Sequence, residues 1–491
     1  MTKRLWLSAA SAGAAVLMLL TGAGCGTGAG GGASSTAATT EKNAAESTSV
    51  GSKETGGELA ATDGTLASQA SGEKTTIKET TKRNSTKTTA KGSTQGQSLE
   101  DMLKSIPSKL KNTTIKFFVW NDVMSMPEGD IIKEFMQKTG IKVDVEQGAY
   151  EEFYTMLNAK VLSGKSPDVI RLLSNGINCV KSLQPLEHCN YTFDTAIWSE
   201  QTMKDYTFNG KAYAANLKNT VFLDGAVALY NKSIFEENDL DDPYALWKKG
   251  KWDWAAFEKL AKEFCKLGSG YVGASEFGFA ASFGANMVEY DGKKYVNTME
   301  SAAYRQAMAK YLEYIKSGIF SSTPYDITAF MDGKCGFFFE SINGAHNKHN
   351  RYQKFRLKKQ LAVVPFPTNG AKDYLPLIQN SAWGVPKGAA NAEAVPYFLR
   401  YMLDYDNYKE GLFMNNESKE IYESMLTNPN RIQAEMAGNL VNDDCGMNYL
   451  DMMYRIRQTE PSQIATTLAT YKANVDDAVK KANEQIQAMS K

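Results

Sequence analysis

Of the 53 aromatic residues in the 491-residue chain, only Trp6 lies before residue 113. A chain buries a core with large apolar side chains, so this asymmetry confines the packed part of the protein to residue 113 and beyond. The first 112 residues divide in two. Lys3 and Arg4 precede an apolar run from Leu5 to Leu20, too short for a comfortable membrane span and shaped like a secretory leader. It ends in Thr21-Gly22-Ala23-Gly24-Cys25, small residues running up to a cysteine. Residues 1–24 are thus expected to be a signal peptide.

From Gly26 to Ser98 the sequence is mostly Gly, Ser, Thr, Ala, Lys and Glu, with Val50, Leu59, Leu66 and Ile77 as its large aliphatics and no aromatic or proline. Such a segment forms no core. Residues 25–112 are expected to be a disordered tether with a root-mean-square span of roughly 50 Å. Gly26 to Gly31 matches G-x-G-x-x-G formally, but no strand precedes it and no helix pattern follows, so the match is compositional.

Lys plus Arg number 55 and Asp plus Glu number 55, which leaves no excess charge to draw a nucleic acid or an anionic membrane surface. Beyond Cys25 the cysteines are Cys179, Cys189, Cys265, Cys335 and Cys445, an odd set without a C-x-x-C. Cys179 and Cys189 are close enough in sequence to pair, although a body of this size does not need a disulfide. Of His188, His346 and His349, the last two are spaced for one helix face but have no nearby cysteine or HExxH context; surface histidines are expected, and no metal and no cofactor.

The body opens on Thr114 to Trp120, β-branched and aromatic, which predicts a buried strand. Ile131, Ile132, Phe135 and Met136 then recur at helical spacing, with Gly140 where a helix ends. Ile141, Val143 and Val145 alternate with polar residues; Phe153, Met156, Leu157 and Val161 form a second helical face; Pro167 to Leu173 is a third strand. This alternation predicts an α/β fold with mainly parallel sheets flanked by helices. Asp253 is placed to cap a helix that buries Phe257, Leu260, Ala261 and Phe264, and Trp252 and Trp254 are expected to pack. Leu468, Tyr471, Val475, Val479, Ala482 and Ile486 predict a long amphipathic C-terminal helix.

Several segments, in order, resemble the extracellular solute-binding proteins of ABC importers, in the sugar-binding group that includes maltose-binding protein. They are Thr114 to Trp120, Phe135 to Val143, Ser166 to Val169, Asn209 to Ala214, Ala228 to Phe235, Met331 to Phe338, Val364 to Pro367 and Trp383 to Gly388. The leader is similar to a bacterial lipoprotein signal, in which Cys25 is lipidated; an ordinary cleaved leader with a free thiol is the alternative. Two acyl chains anchor stably, since each buried CH₂ contributes about 0.8 kcal/mol and one chain alone is marginal.

The resemblance implies a two-lobed Venus flytrap fold, with lobe 1 expected over 113–222 and 333–380 and lobe 2 over 223–332 and 381–491. Crossings are expected near 217–227, 329–336 and 376–384. It also implies a monomeric receptor that is not an enzyme, held at the outer face of a cell membrane by its lipid alone. A carbohydrate ligand, permease subunits as partners, a Gram-positive type of surface and no nucleic acid complete the expectation.

A neutral sugar offers hydroxyls and flat CH faces, so its site needs aromatic platforms and planar polar groups. Ligands of doubly wound sheets lie beyond the carboxyl ends of the strands. The candidates by position are Trp120, Asn121, Asp122, Tyr150, Ser174, Asn175, Asn219, Phe283, Asn286, Glu340, Asn343 and Trp383. Two alternatives stay open: a receptor for peptide or another solute on the same fold, and a surface glycoside hydrolase using a pair such as Asp122 and Glu340.

Overall fold

The computed structural model describes residues 97–150, 152–172, 174, 176–275, 279–323, 326–346, 360–367, 373–379, 381–404, 413–434 and 441–489. The leader, Cys25 and the Gly/Ser/Thr-rich segment lie outside them, as do Asn175 and His349.

The folded body begins earlier than Thr114. Helix α1 (Leu99–Ser105) is capped by Ser98, whose Oγ accepts from the Asp101 N–H at 3.1 Å. Met102, Ile106 and Leu110 are buried in the core around the first sheet. The expected tether through residue 112 is therefore too long. These three apolar residues recur every fourth position, a helical stripe that the polar composition upstream obscures.

In chain order the strands of the two sheets are β1 (Thr114–Val119), β2 (Lys142–Gln147), β3 (Val169–Leu172) and β4 (Ala214–Ala215). Then come β5 (Asp224–Asn231), β6 (Val272–Ser275), β7 (Cys335–Ser341) and β8 (Leu361–Pro365). Last are β9 (Leu375–Gln379), β10 (Ala382–Gly384) and β11 (Arg431–Gln433). The first sheet has the order β2-β1-β3-β10-β4, and the second β11-β9-β5-β7-β6 with β8 also paired to β5. In each sheet one strand opposes the rest: β10 runs antiparallel to β3 and β4, and β5 antiparallel to β7, β8 and β9. Both are the strands that follow a crossing, β5 after residues 216–223 and β10 directly after Ser381. They enter from the hinge, whereas β4 and β9 run toward it.

This pairing corrects the expected lobe borders. β7, β8 and β9 build the second sheet rather than returning to the first, and β10 with the helix at Val395–Met402 belongs to the first. There is no crossing at 329–336. β7 pairs with β5 over Ser341↔Ala226 to Phe337↔Tyr230, because the run Gly336 to Phe339 is apolar on both faces and suits the middle of whichever sheet receives it.

Helix α2 (Pro127–Thr139) starts on proline and ends at Gly140, whose φ of 73° lets its N–H reach Met136 O. Helix α3 (Phe153–Leu162) buries Phe153 and Leu157. In α4 (Trp254–Cys265) the Asp253 carboxylate accepts from Ala256 N–H at 2.8 Å, and Phe257, Leu260, Ala261 and Phe264 are buried as expected. The C-terminal helix Ile464–Ala488 buries the full predicted stripe. It also touches the first lobe, where Asn209 Nδ2 donates to Ile486 O at 2.8 Å. Cys179 and Cys189 are both buried free thiols.

Candidate ligand-binding site

The carboxyl end of β3 carries a cation in an otherwise apolar run, Val169-Ile170-Arg171-Leu172. Its register partner on β10 is Trp383, and its side chain leaves the sheet toward the hinge. The guanidinium lies 5.3 Å over the Trp120 ring and 4.9 Å over the Phe222 ring, so it sits between two aromatic faces. Its Nη2 donates to Ser381 Oγ at 2.8 Å, while buried Nε has no partner. Trp120 is buttressed edge-on by Tyr150 at 6.3 Å and by Phe153 at 5.3 Å.

Asp224, the first residue of β5, faces this group from the second sheet's side of the hinge. Its buried carboxylate accepts from Ser341 Oγ and from Asn343 Nδ2 at 3.2 Å. Burial pushes the Asp224 carboxyl up and the charge of Arg171 pulls it back. Burial likewise raises the Glu128 carboxyl, against the pull of its own backbone hydrogen bond and of Arg171, and lowers Arg171, against the pull of both acids. A small cavity of about 20 Å³, enough for roughly one water, lies beside them and is lined by Asn216, Thr220, Phe222, Asp224, Ser381 and Arg431.

Of the predicted residues, Trp120 and Tyr150 meet at this place, and Asn343 reaches it through Asp224. Asn121 is adjacent, its amide turned to Met126 Sδ at 3.4 Å. Asp122 is exposed and caps a turn, accepting from Ser125 N–H and Oγ. Ser174 is buried and holds the Gly176 N–H at 3.1 Å. Trp383 is buried in the first sheet's core against Phe117 and Phe222 at 5.6 and 5.7 Å. It is a packing residue that backs Phe222, because its side chain is 2% exposed and enclosed by these rings.

Asn219 is exposed on the first crossing; the polar residue built into that crossing is Asn216, whose Nδ2 donates to Ser381 O at 2.8 Å. Phe283 stacks on Trp254 at 5.8 Å, and Asn286 keeps a buried Oδ1 without a partner. Glu340 is buried in β7 and accepts from Ser341 N–H at 2.8 Å.

Sequence reasoning missed Arg171, Phe222, Asp224 and Ser381. The available signals were a lone cation inside an apolar strand and an acid opening one whose eight residues are all buried.

These two sheets, their crossings and the aromatic hinge site define a two-lobed solute-binding fold. Residues 130–414 match the model of the bacterial extracellular solute-binding proteins, and the chain belongs to that family. Among solved structures it is similar to the ABC substrate-binding protein Lmo0181 of Listeria monocytogenes in complex with cycloalternan, at 17% identity over 74% of this chain and 98% of that one, TM-score 0.55. It is similar as well to the GacH receptor of Streptomyces glaucescens, solved unliganded and with acarbose and an acarbose homologue, at 16% identity over 74% and 99%, TM-score 0.55. A third is the extracellular solute-binding protein of Staphylococcus aureus in complex with maltose, at 14% identity over 75% and 98%, TM-score 0.57. At these identities the likeness is one of fold. A search of the curated proteins found no match.

Proposed function

We propose that this extracellular protein captures an oligosaccharide between its lobes and delivers it to the permease of an ABC importer, without chemical conversion. The observation that carries the reading is the Trp120 platform, held edge-on by Tyr150 and faced by Arg171, which Phe222 backs. A flat indole offers a surface for the CH face of a sugar ring, and the guanidinium and the Ser381 and Asn343 groups offer hydrogen bonds to hydroxyls. Arg171 opposed by Asp224 and Glu128 leaves no positive surplus to select an anion. The sugars bound by the neighbouring structures support the same class of ligand.

In this reading the open protein binds sugar at Trp120, the crossings flex, and the second lobe closes over the ring. Lipidation at Cys25 would hold the receptor at the outer face of the membrane on a long tether, as on a Gram-positive surface, with the folded body acting as a monomer.

A thermal-shift screen of the full chain against mono- and oligosaccharides, amino acids and short peptides tests this. A ligand at a hundred times its dissociation constant stabilises the native state by about 2.7 kcal/mol. A shift with an oligosaccharide that is recovered unchanged supports the receptor. A shift with peptides alone overturns the sugar assignment, and hydrolysis of the sugar overturns the receptor.

A further inference from the structure

A second cavity, of about 280 Å³, lies wholly within the second lobe, between the short helix Pro243–Lys248, the chain leaving β8, the start of β9 and the end of the helix Asn416–Leu426. Three of its walls are aromatic: Trp247, Phe366 and Tyr374. Each is fixed in place. Trp247 packs on Tyr244 at 5.7 Å, and Phe366 stacks on Phe339 at 4.4 Å. Tyr374 rests on Gly284, where a Cβ would come within 2.3 Å of its ring.

Several side chains of the polar part of the wall are engaged within the protein. Ser424 Oγ donates to Ile421 O at 2.6 Å and Thr427 Oγ1 to Ser424 O at 3.0 Å. Asn428 Nδ2 donates to Asp373 O at 3.1 Å, and the Asn430 N–H is taken by Asn428 Oδ1 at 2.8 Å. Pro365 and Pro429, also in the wall, carry no N–H. Asp373, exposed at the edge of this wall, is the one charged residue in its lining. The nearby cation Lys248 is engaged by Glu420.

An anion would need a cation in the wall, and none of the lining residues is cationic. A ligand that brings positive charge and an apolar surface matches all of these walls, because aromatic faces attract cations and a carboxylate completes the pairing. We propose that this cavity is a second ligand site, independent of the interlobe cleft, for a small organic ammonium cation. Its volume falls just below the range of drug-sized pockets, which suits a head group rather than a chain.

Isothermal titration of the full chain with choline and with 3,3-dimethyl-1-butanol, its neutral isostere, tests this without a variant. The expected result is saturable one-site binding of choline and at least tenfold weaker binding of the alcohol. Asp373→Asn and Trp247→Leu should each weaken choline binding at least tenfold with the thermal melt preserved, and Trp247→Phe should restore it. Equal binding of the two probes overturns the cation assignment. Absence of saturable choline binding in the millimolar range, or binding indifferent to both weakening variants, overturns the site.

Discussion

Arg171 and Phe222 stand 4.9 Å apart, guanidinium over ring, although one is in the middle of a first-lobe strand and the other in the crossing that leads into the second lobe. The contact ties the hinge to the platform, because the same guanidinium covers Trp120 from the other side. In the proposed reading, a ligand on Trp120 would touch a group already in contact with the crossing.

Replacing Arg171 by Met removes the cation that faces Asp224. Asp224 then keeps a buried carboxylate supported by Ser341 and Asn343 alone, and the variant is expected to lose about 2 to 3 kcal/mol at neutral pH, below the range for a fully buried pair because Arg171 is only half-buried. The pH dependence has a definite sign. A carboxyl raised in the folded state binds its proton more tightly there than when unfolded, so stability falls as pH rises from the unfolded toward the folded pKa. Without Arg171 that fall should be larger and extend to higher pH. Urea denaturation of both proteins at several pH values reads it directly.

Trp120→Ala and Trp383→Ala separate the platform from its support. Trp120 is half-buried, so its truncation should weaken sugar binding 10- to 100-fold with a modest loss of stability. Trp383 is 2% exposed and packed on Phe117 and Phe222, so its truncation should cost about 3 to 5 kcal/mol. Calorimetric titration with the sugar found by the screen, together with thermal melts, distinguishes them. A normal melt for Trp383→Ala would contradict its placement in the core.

The phenol of Tyr422 donates to Thr220 O at 2.5 Å and accepts from Leu223 N–H at 3.3 Å, which pins the first crossing to the second lobe. Tyr422→Phe leaves two buried backbone groups short of a partner and should destabilise the protein by about 1 to 3 kcal/mol. Hydrogen exchange at Leu223 should rise more than at the centre of β5.

Met102→Ala tests the early start of the fold. A buried methionine truncated in a packed core costs about 2 to 5 kcal/mol, whereas a change in a disordered tether costs nothing measurable. The melting temperature of the variant decides between the two.

The strands, helices and caps were largely legible because each depends on a few neighbours in sequence: Asp253 before its helix, Gly140 after α2, the stripe along Ile464–Ala488. Sheet membership was not. The segment from Cys335 to Phe339 is apolar throughout, and nothing local says which sheet it joins. The site was half legible for a related reason. Trp120 and Tyr150 follow the ends of strands and could be placed by position, while Trp383 was misread because an aromatic at a crossing looks alike whether it faces ligand or core. Arg171 and Asp224 gain their meaning from each other across 53 residues, a relation that no window along the chain contains.

The place of β10 between β3 and β4 has a consequence for how the protein is made. Trp383 pairs with Arg171 on one side and with Ala215 on the other, so β4 joins the rest of its sheet only through a strand that appears after the second sheet's first five strands are synthesised. During export the amino-terminal lobe emerges first and is completed late. Its parallel trio β2-β1-β3 must wait with one edge uncovered, and closing a loop of that length is slow and exposes unpaired backbone to other chains. A chaperone that protects this edge until residue 384 has crossed the membrane would govern the yield of the whole receptor.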